Sequence, residues 1–176
     1  VEIALCGHAT LASGHIILAQ DPDRQQVTFR TRKAGILTVK RDGDGYALDL
    51  PAYAPAPKAM PDIAALVGGA PVETQFHEGR YHVLRYARAD DVLALKPDLK
   101  ALAALGDGQY ICVDEDSVAG SAHAVLTPYW AGQLGRDNFT AYQASQRGGY
   151  VNCRLDGDRA WLGGKCVTVV EGSFRF

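Results

Sequence analysis

The chain has 176 residues, 47% of them hydrophobic and 22% charged, an ordinary globular balance that argues against disorder and against membrane insertion. A formal net charge of −2 gives no electrostatic reason to expect nucleic acid or an anionic membrane as partner. No apolar run approaches the roughly 18 residues that would suggest a membrane span.

The chain opens on Val1-Glu2-Ile3 rather than on Met, which leads us to expect further residues upstream. Cys6-Gly7-His8-Ala9-Thr10 then leads into a segment whose apolar residues, Leu11, Ile16, Ile17 and Leu18, predict a helix. Gly35–Asp44 alternates apolar and polar residues into an Asp-Gly turn, the pattern of a β-hairpin. Pro51–Pro61 is proline-rich and reads as a linker. Glu73–Tyr86 predicts a second hairpin turning at Glu78-Gly79, and Asp91–Leu105 predicts one helix. Tyr110-Ile111-Cys112 runs abruptly into Val113-Asp114, where we expect an intervening loop to have been dropped. After the acidic run Asp114-Glu115-Asp116, the motif Gly120-Ser121-Ala122-His123 opens a helix with Val125, Leu126, Tyr129 and Trp130, ended by Gly135. Pro128 is tolerable near the start of that helix.

Shifting the chain by 114 residues lays Gly35–Asp44 over Gly149–Asp158, and Leu48 over Leu162. Upstream, Gly7-His8-Ala9-Thr10 corresponds to Gly120-Ser121-Ala122-His123 with a one-residue slip. Glycine, helix and hairpin recur in the same order, which predicts a duplication. The first lobe, with its crossing segments, is expected over 1–112 and the second over 113–176.

The four cysteines, Cys6, Cys112, Cys153 and Cys166, show no C-x-x-C pair and no zinc-ligand spacing. Each is expected to be a buried, reduced thiol, which fits a cytoplasmic protein. His15, His77 and His82 carry no assigned role, His123 is expected mainly to pack, with lining of the pocket beside Ser121 as the alternative, and Tyr129, Trp130 and Trp161 read as core or dimer contacts.

Two glycine-led helix starts can do chemistry together. A helix start exposes unpaired N–H groups and a positive dipole end, and glycine lets a ligand approach the backbone. Two facing starts would favour a carboxylate, or an enolate formed during proton transfer. Asp116 is a candidate general acid or base, with helix capping by the acidic run as the alternative. His8 could donate a hydrogen bond or shuttle a proton, and Ser121 could cap its helix or bind a substrate oxygen. Cys6 could be a proton-transfer thiol, but the second half has Ala119 at the matching place, so a two-thiol mechanism lacks support.

Leu5-Cys6-Gly7-His8-Ala9-Thr10-Leu11-Ala12, Gly35-Ile36-Leu37 and Leu50-Pro51 resemble the first half of the PhzF-like proteins of phenazine biosynthesis. Glu115–His123, Pro128-Tyr129-Trp130 and Ala144–Gly149 resemble the second half. The resemblance implies an α+β fold similar to diaminopimelate epimerase, two lobes each with a mostly antiparallel sheet around a central helix. It also implies homodimers, no metal or organic cofactor, and isomerisation of a small carboxylate substrate by proton transfer. Carried over, His8 and Asp116 are catalytic, while Gly7, Gly120 and Ser121, with Cys6 beside them, bind substrate. Three departures stand out. The family's acid–base glutamate precedes the first glycine motif; Glu2 is the only candidate here and its context does not match, so that glutamate is expected among residues upstream. The stretch before Glu115-Asp116 is short, and Ser117 and Ala119 replace proline and threonine. These departures motivate an alternative expectation, a small-molecule-binding member without activity. A racemase-type enzyme using Cys6 ranks third.

Overall fold

The structure, a computed structural model, describes residues 4–114, 122–143 and 148–173. Helix α1 (Gly7–Gln20) is followed by β1 (Gln26–Arg30), β2 (Ile36–Asp42) and β3 (Gly45–Pro51). Strand β4 (Ala56–Pro57) and α2 (Pro61–Val67) lead to the hairpin β5 (Glu73–His77) and β6 (Tyr81–Arg85). Short helices α3 (Ala89–Leu93) and α4 (Leu99–Ala104) precede β7 (Gln109–Val113). Helix α5 (His123–Leu134) and strands β8 (Asn138–Tyr142), β9 (Tyr150–Asp156) and β10 (Arg159–Gly164) complete the order.

The two hairpins repeat residue for residue. Strand β2 shifted by 114 reproduces the bounds of β9, and β3 shifted by 114 reproduces those of β10 except for one residue at its end. Their loops hold Gly43 at φ 57° and Gly157 at φ 59°, a left-handed conformation that glycine adopts without a Cβ penalty. Asp42 already pairs with Gly45, so the turn is centred on Gly43-Asp44, one residue later than Asp-Gly spacing alone suggests. Glycine at the first of two loop positions matches the twist that a hairpin needs.

The hairpins then join. β3 pairs with β10 in antiparallel register, giving a six-stranded sheet of order β1-β2-β3-β10-β9-β8. Alternation decides its faces: Leu37, Val39, Leu48, Leu50, Cys153 and Leu162 are buried beneath the helices, while Lys40, Arg154 and Trp161 lie on the other side. Helix α1 packs on β1–β3 and α5 on β9 and β10. The close approach of α1 requires Gly14, where a Cβ would stand 2.6 Å from Val39.

The second sheet, of order β4-β5-β6-β7, is antiparallel except for the parallel pair β6 and β7. It puts Tyr81, Val83, Ile111 and Val113 into the same core as α5, and Leu84 into a smaller cluster with Val67, Tyr86 and Leu102. Helix α5 is thereby buried along most of its length. This accounts for Pro128 inside it: proline cannot donate to the carbonyl of Ala124, and the backbone N–H of Tyr53 fills that acceptor at 2.7 Å. Gly135 ends the helix at φ 62°, as expected of a left-handed C-terminal glycine.

Two expectations need correction. The helix expected over Asp91–Leu105 is broken into α3 and α4. Pro97 disfavours helical backbone at Lys96, and Asp98 starts α4 anew by accepting a hydrogen bond from the Ala101 N–H at 2.9 Å. Of the four cysteines, all free, Cys153 alone is fully buried; Cys6, Cys112 and Cys166 are partly exposed because each lies at the margin of an element or beside it. Burial pushes the Cys112 thiol up to about 11 and that of Cys153 up to about 12. Among the described residues no helix is long and apolar enough to cross a membrane.

Candidate active site

The β3–β10 seam brings the start of α1 and the start of α5 to one cavity of about 220 Å³. Gly7, His8 and Leu11 line it from α1, and His123 from α5. Its floor comes from Leu48 and Leu50 on β3 and Leu162 on β10; Tyr150 and Lys165 stand at its side.

Local sequence prepares the α1 start for a negative charge. Cys6, in extended backbone before α1, provides no side-chain cap, and the first turn contains no acidic residue. Its carbonyl instead accepts from the Thr10 hydroxyl at 2.8 Å. Ala122 before α5, already in helical backbone, supplies no side-chain cap, and among the described residues no acid stands in the first turn. The α1 start therefore meets the hollow with no carboxylate in its own first turn, and the first described turn of α5 borders the same hollow through His123. Gly7 is buried, and a Cβ there would meet Leu48 at 3.4 Å and Leu50 at 3.8 Å, so its absence keeps the cavity floor open.

Of the residues expected from sequence, Gly7 and His8 line the cavity, and His8 is exposed toward it. Cys6 precedes them but does not line it. Asp116, Gly120 and Ser121 lie outside the described residues. The cavity adds His123, Tyr150 and Lys165. His123 is buried to 1% exposure, so the expectation that it packs and its place in the lining are both met. Its first-turn position after the second glycine motif was the signal; Tyr150 and Lys165 had none, because strand pairing alone brings them here. Lys165 forms an ion pair with Asp44, and that pair holds the Asp44 carboxyl below the usual range. Among the described residues no group of three or more His, Cys, Asp or Glu side chains converges as a metal site.

A second polar cluster anchors α5. Glu73 of β5 accepts from Tyr129 Oη at 2.8 Å, from Arg85 Nε at 3.0 Å and from Gln75 Nε2 at 2.5 Å. Burial raises the Glu73 carboxyl, but these three donors outweigh it and hold it below the usual carboxylate value. Burial, with the neighbouring carboxylate, pushes the Tyr129 phenol up.

This duplicated frame defines a class of α+β fold shared with known structures. The chain belongs to the phenazine biosynthesis-like (PhzC-PhzF) family, whose model matches residues 1–102 and 109–172. An uncharacterized isomerase of Pseudomonas aeruginosa is 36% identical over 196 residues, covering 99% of this chain and 74% of the relative. The mouse phenazine biosynthesis-like domain-containing protein 2 is 29% identical over 212 residues, covering 98% of this chain and 73% of its own. A phenazine biosynthesis PhzC/PhzF protein from Clostridium difficile superposes with a TM-score of 0.84 at 29% identity, over 100% of this chain and 75% of that one. A predicted epimerase from Pseudomonas aeruginosa shares the fold, with a TM-score of 0.62 at 17% identity over 93% of this chain and 72% of its own. At the level of the family, the chain is of an isomerase type.

Proposed function

We propose that the chain moves a carbon-bound proton on a small carboxylate-bearing metabolite without an organic cofactor. The observation that carries this reading is the meeting of the α1 start, His8 and the first described turn of α5 at one cavity. Removing a proton beside a carboxylate builds negative charge on oxygen. Helix N–H groups and dipoles aimed at that oxygen stabilise the charge as it forms, by several kcal/mol, on the order of what one good oxyanion donor supplies. In this reading His8 passes a proton at the substrate, and Asp116 assists as acid or base. Gly7, Gly120 and Ser121 hold the anionic group, with Cys6 beside them. Names of isomerases among the relatives support the reaction class.

A second reading, binding without turnover, has its own support. The described residues of the cavity include two histidines and a lysine but no carboxylate. Incubation with candidate carboxylates in D2O, followed by mass spectrometry, separates the two. Solvent deuterium entering one C–H position, and slowed about 100-fold or more by His8→Asn, is expected of the isomerase. Saturable binding with no deuterium uptake would leave the binding reading standing alone.

A further inference from the structure

On the other face of the six-stranded sheet lies a hollow of about 460 Å³. Its floor is made by small residues, Ala47 on β3 paired with Gly163 on β10. Lys40 stands opposite Ala47, and Arg154 stands opposite Trp161. Lys40 and Arg154 are counterparts under the 114-residue shift, so the duplication has placed one cation in each hairpin. Both reach the same indole: Lys40 Nζ lies 4.2 Å and Arg154 Cζ 5.5 Å from the Trp161 ring centroid.

The charge there is poorly offset. Lys40 forms no ion pair among the described residues, and Arg154 has a long, exposed pair with Asp156 at 3.9 Å. Asp49, beside Trp161 in the ladder, is held by Arg159 at 2.6 Å. Asp42 is the acidic residue in the lining, and it sits at the hairpin end of β2. Neutral donors complete the hollow. Thr140 Oγ1 donates to Asn152 Oδ1 at 3.0 Å, which turns the Asn152 amide N–H groups outward as donors, and Asn138 stands opposite Arg154.

We propose that this hollow is a second ligand site, separate from the helix-end cavity, and that it takes a small phosphomonoester. Lys40 and Arg154 meet the phosphate dianion, and the Asn152 amide meets a remaining oxygen. A tetrahedral group with several acceptors suits a cation arriving from β2 and a cation and an amide arriving from β9. The volume leaves room for an organic part beside the Trp161 ring. The backbone of Gly163 borders both cavities, so the two sites are one strand apart.

The test is a titration with inorganic phosphate and with glycerol 3-phosphate at constant ionic strength, read by NMR at the Trp161 indole N–H and assigned with Trp161→Phe. Saturable shifts are expected, with glycerol 3-phosphate binding more tightly than inorganic phosphate. Lys40→Met and Arg154→Met should each weaken binding about tenfold, equivalent to about 1.4 kcal/mol. His8→Asn should leave it unchanged. Equal saturation by both probes would overturn the phosphomonoester assignment. No shift beyond that caused by chloride would overturn the site, as would undiminished binding in a double variant whose amide spectrum shows it folded. In that event the two cations serve only to cover the indole.

Discussion

Leu48 of β3 and Leu162 of β10 lie directly opposite each other in the central ladder, and each is the other's counterpart in the repeated halves. The local two-fold relationship of the sheet therefore passes through this pair, beneath both helix starts. Both side chains are buried and floor the helix-end cavity. Replacing either with alanine is expected to cost about 2–5 kcal/mol, the lost transfer energy plus the cavity left behind. Because the two touch one hollow, the double variant should depart from additivity by about 0.5 kcal/mol or more. Urea unfolding of the four proteins of the cycle measures both quantities. Strict additivity would mean that the halves meet elsewhere.

Gly14 sets the height of α1 above the sheet. Alanine is a better helix former by about 1 kcal/mol, but its Cβ would fall 2.6 Å from Val39. Val39 is β-branched and fixed in a central strand, so it cannot swing aside. The clash should win. Gly14→Ala is expected to destabilise the fold by about 1–3 kcal/mol net, visible as a lower thermal midpoint. An unchanged or raised midpoint would show that α1 slides freely on β2.

Glu73 binds β5 to α5 through Tyr129, and its carboxyl sits below the ordinary value of 4.5. A group whose folded-state value is depressed stabilises the fold at pH above its unfolded value. That stabilisation is lost as pH falls through the lower folded value. Unfolding free energy should therefore drop on acidification below about pH 4.5. Glu73→Gln should cost about 1–3 kcal/mol at pH 7 and flatten the acid limb. A variant with an undiminished acid limb would assign that limb to other carboxylates.

His8 is exposed at a helix start, so its loss should spare the fold. His8→Asn is expected to stay within about 0.5 kcal/mol of the parent in urea unfolding. Its turnover of an isomerised substrate, by contrast, should fall by about 10²–10⁴-fold. Loss of stability in parallel with activity would reassign His8 to the framework.

Much of this protein was legible without coordinates, because its signals are local. Period-two alternation and glycine turns define β2–β3 and β9–β10, and their 114-residue repeat needs only counting. The helix end at Gly135 is a matter of one left-handed residue. Pro97 was equally local, yet the apolar spacing of Asp91–Leu105 concealed the break that proline imposes. Periodicity could not tell that α5 is buried between two sheets, since a helix covered on nearly all sides has no polar stripe to reveal it.

The sequence by itself determined the two repeated units and the chemistry that each glycine-led helix start could offer. Tertiary structure decided that the units meet edge to edge at Leu48 and Leu162, so that His8 and His123 share one cavity while Lys40 and Arg154 share one indole on the opposite face. The reason is physical. Turns and strand alternation are set by neighbouring residues, whereas strand-to-strand register between distant segments is chosen by the burial of whole faces at once.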